Sequence, residues 1–233
     1  MAGILTFTSI RDVALAALAN GVCVLPAAED GTKRPLGEWK RWQRERPNAE
    51  QVEEWWGPRT GIGVVCGAVS GNLEALDFDD AATHEAFKAR ASEVGLADLV
   101  ERVETGYSEE TPREGRGVHW LYRCPEITGN TKLAKRPKSR DDLWLTTIET
   151  RGEGGWVVVA PSSGLVHETG RPWKILRGGV ETIAVITPEE REALWTLARS
   201  FDQGPKPEPA EPEHAGAALA GFRPGDEFAA ATD

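Results

Sequence analysis

The sequence predicts a mixed α/β (α+β) protein, and three observations carry that expectation. Apolar residues recur at helical spacing in 10–20, and a second helix is announced by the capping signal at Thr187. Short alternating or wholly apolar runs, such as VHWLYR at 118–123, read as strands. The 233 residues, 40% apolar and 27% charged, are enough for a real hydrophobic core.

Taken in order, IRDVALAALAN at 10–20 is an amphipathic helix stopped by Gly21, and residues 22–26 form a short buried strand. A turn at 29–32 leads into Lys33-Arg34-Pro35. Asn48 caps a helix running AEQVEEWW to Gly57. Residues 61–66 and 73–78 are two further strands around a small-residue turn at 67–71, the second ending in Asp77-Phe78-Asp79-Asp80. Residues 81–94 form a helix ended by Gly95. Residues 101–105 read as a strand, 108–117 as a polar, Gly-rich loop, 118–123 as a strand and 129–142 as a basic, mobile loop.

The stretches 146–151 and 156–160 read as strands joined by a Gly-Glu-Gly-Gly turn, a hairpin signal. A last strand is expected at 172–176. Thr187, Pro188 and Glu190 form a capping box for a helix reaching about Phe201. Beyond it Pro, Ala and Glu dominate, as in a linker. The expected organisation is one domain over 1–202, then 203–233 as linker and the start of a further region. The chain thus reads as the N-terminal part of a longer protein. No internal repeat is present.

The net charge of −10 argues against a passive duplex-coating protein, although a local groove can still hold nucleic acid. Most of the nine Trp are expected in the core. Cys23, Cys66 and Cys124 form no CxxC pair and no zinc-ligand spacing, so they read as reduced thiols. Residues 1–9 lack the layout of a signal peptide, and no apolar run approaches the length of about 20 that a membrane helix needs. A cytoplasmic location is expected.

Side chains at i and i+2 of a strand share a face, so Asp77 and Asp79 should project together while Leu76 and Phe78 enter the core. Paired carboxylates repel unless a cation lies between them, and Mg²⁺ takes such oxygen ligands. Glu149 and Arg151 obey the same spacing. A third carboxylate on a neighbouring strand would complete a site for two metals about 3.5–4 Å apart, with Arg151 neutralising phosphate oxygens. His119 follows Gly115-Arg116-Gly117, where the chain can approach a ligand closely. Singly, each feature has a plainer reading: a solvated strand end, a surface ion pair, a structural histidine. Their order along successive strands carries the signal.

From about residue 12 to 177 the chain resembles the N-terminal primase–polymerase (prim-pol) domain of the archaeo-eukaryotic primase superfamily, found in phage, plasmid and prophage replication proteins. The resemblance lies in GVCVLPAAEDGTKRPLGEW, the Glu53-Glu54-Trp55-Trp56 helix, GIGVVCGAVSGNLEALDFDD, GRGVHWLYRCP and IETRGEGGWVVVAPSSGLVHETGRPWKI. It implies an RRM-like antiparallel sheet carrying the carboxylates, with a smaller N-terminal αβ unit packed beside it and the active site between them. By the same resemblance Asp77, Asp79 and Glu149 hold two catalytic Mg²⁺ or Mn²⁺ ions. His119 contacts the incoming nucleotide's phosphates, assisted by Arg116 and Arg151, and Ser162 and Ser163 lie near the nucleotide. Lys33 falls at a basic position of the pattern.

Three departures stand out. The zinc-binding insertion of some relatives is absent. Gly117-Val118 replaces the Ser or Gly pair that many relatives carry before the histidine. The third carboxylate is Glu where many have Asp. The terminal FRPGDEFAAATD resembles the start of the segment that follows this domain, often with a helicase domain further on.

The implied activity is template-directed nucleotidyl transfer, that is, DNA primase or polymerase chemistry on nucleoside triphosphates. The loop residues Lys132, Lys135, Arg136, Lys138 and Arg140 are the candidate contacts to a single-stranded DNA template, and a solvated loop weighs equally. The same pattern would also serve a metal-dependent nuclease, a nucleotide cyclase, or a non-catalytic template-binding module beside a helicase.

Overall fold

The computed structural model describes residues 9–138 and 143–204. Its first helix, α1 (Ile10–Ala19), starts at a reciprocal capping box between Ser9 and Asp12, and the chain turns out of it through Gly21 at φ 75°. The elements that follow are β1 (Cys23–Pro26), α2 (Ala49–Trp55), β2 (Ile62–Val65), β3 (Leu73–Phe78), α3 (Ala81–Glu93), α4 (Ala97–Gly106), β4 (Tyr107–Glu110) and β5 (Val118–Arg123). The chain continues with β6 (Thr131–Pro137), β7 (Trp144–Arg151), β8 (Trp156–Val158), β9 (Lys174–Gly178), β10 (Ala184–Val185) and α5 (Pro188–Arg199). The expected caps hold: Asn48 bonds the amide of Gln51, and Thr187 bonds that of Glu190.

The strands form two sheets. A small antiparallel sheet runs β1-β2-β8, and a large one runs β6-β7-β3-β5-β4-β9, with β10 added in parallel to the end of β5. Helices and antiparallel strands thus build the expected α+β fold. Alternation along the large sheet divides its residues between two cores. Leu76, Phe78, Trp120 and Ile148 pack with Phe87, Val103 and Leu194 of α3, α4 and α5. Ala75, Leu121 and Tyr107 pack with Val64 and Val157 of the small sheet, Ala14 of α1 and Val52 of α2. The three cysteines are buried free thiols, and burial pushes Cys23 and Cys66 up to about 12. Among the described residues no helix is long and apolar enough to cross a membrane.

Four expectations need correction. Residues 101–105 belong to helix α4, because Leu99, Val100 and Val103 make a buried helical stripe that alternation does not describe. The polar stretch 108–117 begins as strand β4, whose inward Glu109 is fully satisfied by hydrogen bonds. The basic segment is not a loop over 131–137; it is the edge strand β6, paired along β7 with register shifts around Ala134. Its edge is met in part by the turn after α5, where Asp202 accepts from the Lys135 amide and Gln203 donates to the Lys135 carbonyl. Finally, β7 and β8 are no hairpin. The turn 152–155 carries the chain from the large sheet into the small one, where β8 pairs with β2. Arg140 and the linker from residue 205 onward lie outside the described residues.

Candidate active site

One row of directly opposed residues crosses the large sheet. Lys132 of β6 faces Glu149 of β7, Glu149 faces Asp77 of β3, Asp77 faces His119 of β5, and His119 faces Glu109 of β4. Opposed residues on neighbouring antiparallel strands present their side chains on the same face. Register alone therefore gathers three carboxylates, an imidazole and an ammonium into a line. The line lies on the face that looks toward the small sheet, α3, α4 and α5 covering the other.

Asp77 is the middle member of this line, and His119 stands between it and Glu109. Nδ1 of His119 lies 2.8 Å from Oε1 of Glu109, and its Nε2 lies 3.5 Å from Oδ1 of Asp77. Burial works against the charged imidazole, but the Asp77 charge and the Glu109 hydrogen bond outweigh it and hold the His119 pKa above its ordinary value. Glu149 is shifted the same way for another reason. Burial raises its pKa, Arg151 opposes that, and the Asp77 charge adds to it.

The guanidinium groups come from a loop and from the end of a strand. Arg113, between β4 and β5, is ion-paired to Asp79, and Arg151 is ion-paired to Glu149. Asp79 itself lies just past β3, its amide bonded to the Thr147 carbonyl 2.9 Å away. A cleft of about 230 Å³ opens over the Asp77 and His119 part of the row, lined also by Lys33, Arg113, Arg151 and Trp156. Lys33 has its pKa lowered by burial and by the charge of Arg113, against the pull of Asp77. His167 also borders the cleft. Its Nδ1 accepts from the Thr169 amide at 3.1 Å, so its neutral form carries the proton on Nε2; burial and Lys33 lower its pKa.

Asp77 and Glu149 offer, from opposed strand positions, the oxygen donors that a hard divalent cation takes. Among the described residues no three His, Cys, Asp or Glu side chains are drawn together into a ready cation site. Asp79 and Glu149 are instead turned to guanidinium groups. The donor chemistry fits a divalent ion; the present arrangement neutralises it with arginine.

The other expected site residues fall in several places. Arg116 adopts φ 51°, is largely exposed, and lies 3.8 Å from Glu110 rather than in the cleft wall. Ser162 is fully buried, and its hydroxyl both accepts from the Ile62 amide and donates to the Ile62 carbonyl at 2.8 Å. Ser163 bonds Thr60 through its backbone. Lys132 joins the row directly, Arg136 lies 3.3 Å from Asp80, and Lys138 continues past β6. Sequence reasoning missed Glu109, Arg113 and His167. A period-two reading of Tyr107, Glu109 and Thr111 would have put Glu109 in phase with the strand, but Ser108-Glu109-Glu110 looks like surface.

A family model described as bifunctional DNA primase/polymerase, N-terminal, matches residues 14–191. No curated protein matches the chain.

Proposed function

Because the chain belongs to the bifunctional DNA primase/polymerase family, we propose that the cleft joins nucleoside triphosphates into DNA or a primer on a single-stranded template. The observation that carries this reading is the register Glu149–Asp77–His119 across three adjacent strands, with Asp77 and His119 lining a cleft that Lys33, Arg113 and Arg151 also line. Asp77 and Glu149 are the residues to hold divalent cations, with Asp79 joining them as Arg113 turns to phosphate. Two Mg²⁺ or Mn²⁺ ions, when bound, would activate the primer hydroxyl and neutralise the triphosphate.

This chain's own residues do the rest. The Nε2 side of His119 faces the cleft and meets the phosphate tail. Lys33, Arg113 and Arg151 bind phosphate oxygens, the guanidinium groups with paired donors. Their work is to position and to stabilise charge, which is what phosphoryl transfer chiefly asks of a protein. Lys132 and Arg136 lead a template strand along the edge of the sheet toward Asp77.

The test is product identity. Protein, Mg²⁺ or Mn²⁺, labelled NTPs or dNTPs and a single-stranded template, with and without primer, should give extended strands. Asp77→Ala and Glu149→Ala should give none while unfolding at the wild-type temperature or above. Wild-type product from either variant would refute the assignment. Shortened strands would point to a nuclease and cyclic nucleotide to a cyclase.

A further inference from the structure

We infer that Glu109 is a positioning residue that sets the orientation and tautomer of His119 and, through the same carboxylate, fixes one wall of the cleft to the other. This inference rests on the reading of the cleft as a nucleotide site, and extends it to a residue that meets no substrate.

Glu109 has no exposed surface. A buried carboxylate is costly unless its lone pairs are filled, and here three donors fill them. Oε1 takes His119 Nδ1 at 2.8 Å; Oε2 takes the Tyr107 hydroxyl at 2.7 Å and the Ala160 amide at 2.7 Å. Simple burial of a strand residue would favour an apolar side chain at this place, as at Leu121 and Ala75 on the same face. The acidic residue is explained by what it holds.

Two of the three contacts explain separate properties of the site. An ionised carboxylate only accepts hydrogen bonds, so Nδ1 of His119 must carry a proton, and the ring is fixed with Nε2 toward Asp77 and the cleft. Ala160 follows β8, and β8 belongs to the small sheet. The Ala160 bond therefore ties the small sheet to β4 of the large one, immediately behind His119. Tyr107 anchors the carboxylate from its own strand, two residues away, and supplies no link to the cleft.

Glu109→Gln separates these roles from mere packing. The Ala160 amide can only donate, so it keeps the oxygen on its side, and the new side-chain NH₂ faces His119. Nδ1 must then accept, and the proton moves to Nε2. In ¹⁵N spectra of the imidazole, His119 should be protonated at Nδ1 in the wild type and unprotonated there in Glu109→Gln. In primer extension the variant's KM for nucleotide should rise by about 10-fold or more, the size typical when the partner orienting a functional imidazole is lost. Glu109→Asp should keep Nδ1 protonated and recover part of the KM. Tyr107→Phe should lower the melting temperature and leave both readouts at wild-type values.

A folded Glu109→Gln protein with Nδ1 still protonated, or with unchanged KM, overturns the inference. Should that variant not fold, a wild-type His119 protonated only at Nε2 overturns it equally. Absence of primer extension by the wild type would sink the functional reading instead, and the imidazole spectra would still decide the role of Glu109.

Discussion

Asp77 and Glu149 occupy directly opposed positions on adjacent antiparallel strands, and the charge of Asp77 adds to the burial that raises the Glu149 pKa. Like charges held so close favour a cation between them. Mg²⁺ or Mn²⁺ should therefore raise the melting temperature of the wild type, by an amount equivalent to about 2.7 kcal/mol at a hundred times the Kd. Asp77→Asn should melt no lower than wild type without metal and should lose the metal-dependent rise. Scanning calorimetry across a metal titration checks both, and an unchanged rise in Asp77→Asn would remove Asp77 from the cation site.

Arg113 is partly exposed and paired to Asp79 at the mouth of the cleft. An exposed pair contributes only about 0–1 kcal/mol to stability. Arg113→Ala should thus melt close to wild type while its KM for nucleotide rises several-fold or more. The comparison of melting temperature with KM is the check, and a large loss of stability at constant KM would make Arg113 structural.

Lys132 lies in the row with Glu149 and Asp77, and Arg136 further along the same edge strand. If they meet template phosphates, replacing both by Ala should flatten the dependence of log K on log salt, by about 0.7 for each contact with a single strand. Fluorescence anisotropy with labelled single-stranded DNA at several salt concentrations measures that slope. An unchanged slope would assign the template path elsewhere.

Gly117 is held where a Cβ would lie 2.6 Å from the Phe78 carbonyl and 3.1 Å from that of Asp79. The neighbour that must yield is backbone at the end of β3, where the acidic residues are. Gly117→Ala should cost about 1–3 kcal/mol and should reduce kcat along with stability. Denaturant unfolding beside primer extension at a temperature well below melting would separate the two effects.

Glu104, buried at the end of α4, has its pKa moved upward by burial and, more strongly in sum, downward by the neighbouring His84 and the Lys88 hydrogen bond, for a net lowering. A carboxylate with a depressed folded-state pKa stabilises the fold above its unfolded value of about 4.5. That contribution disappears as pH falls through the lower folded value. Glu104→Gln should be less stable than wild type at pH 7, with the gap closing as pH falls below about 4.5. A gap independent of pH would mean that packing, not charge, is what Glu104 supplies.

The sequence was most legible where one physical rule acts alone. Capping boxes at Asn48 and Thr187, the buried strands around residues 62–65 and 73–78, and the inward face of Leu76 and Phe78 all follow from local chemistry. It misled where tertiary context overrules local pattern. Leu99, Val100 and Val103 sit in a short window where strand and helix periods are hard to tell apart. The polarity of β6 hides a strand because that strand is an edge and its outer side meets water. Glu109 was hidden because its burial depends on His119 and Ala160, ten and fifty-one residues away. The hairpin at 152–155 failed for a related reason: a Gly-rich turn specifies a reversal and says nothing about which sheet the next strand joins.

That turn has a consequence of its own. Arg151 on one wall of the cleft and Trp156 on the other are joined by only the four residues 152–155. A further turn, at 66–72, joins the same two sheets, between β2 and β3. The walls are therefore stitched together by covalent chain close to the cleft, and their separation is a matter of tether length. Lengthening 152–155 would widen the gap without altering a side chain that lines it. Loop length at this point, as much as residue identity, then determines how bulky an object the walls can close upon.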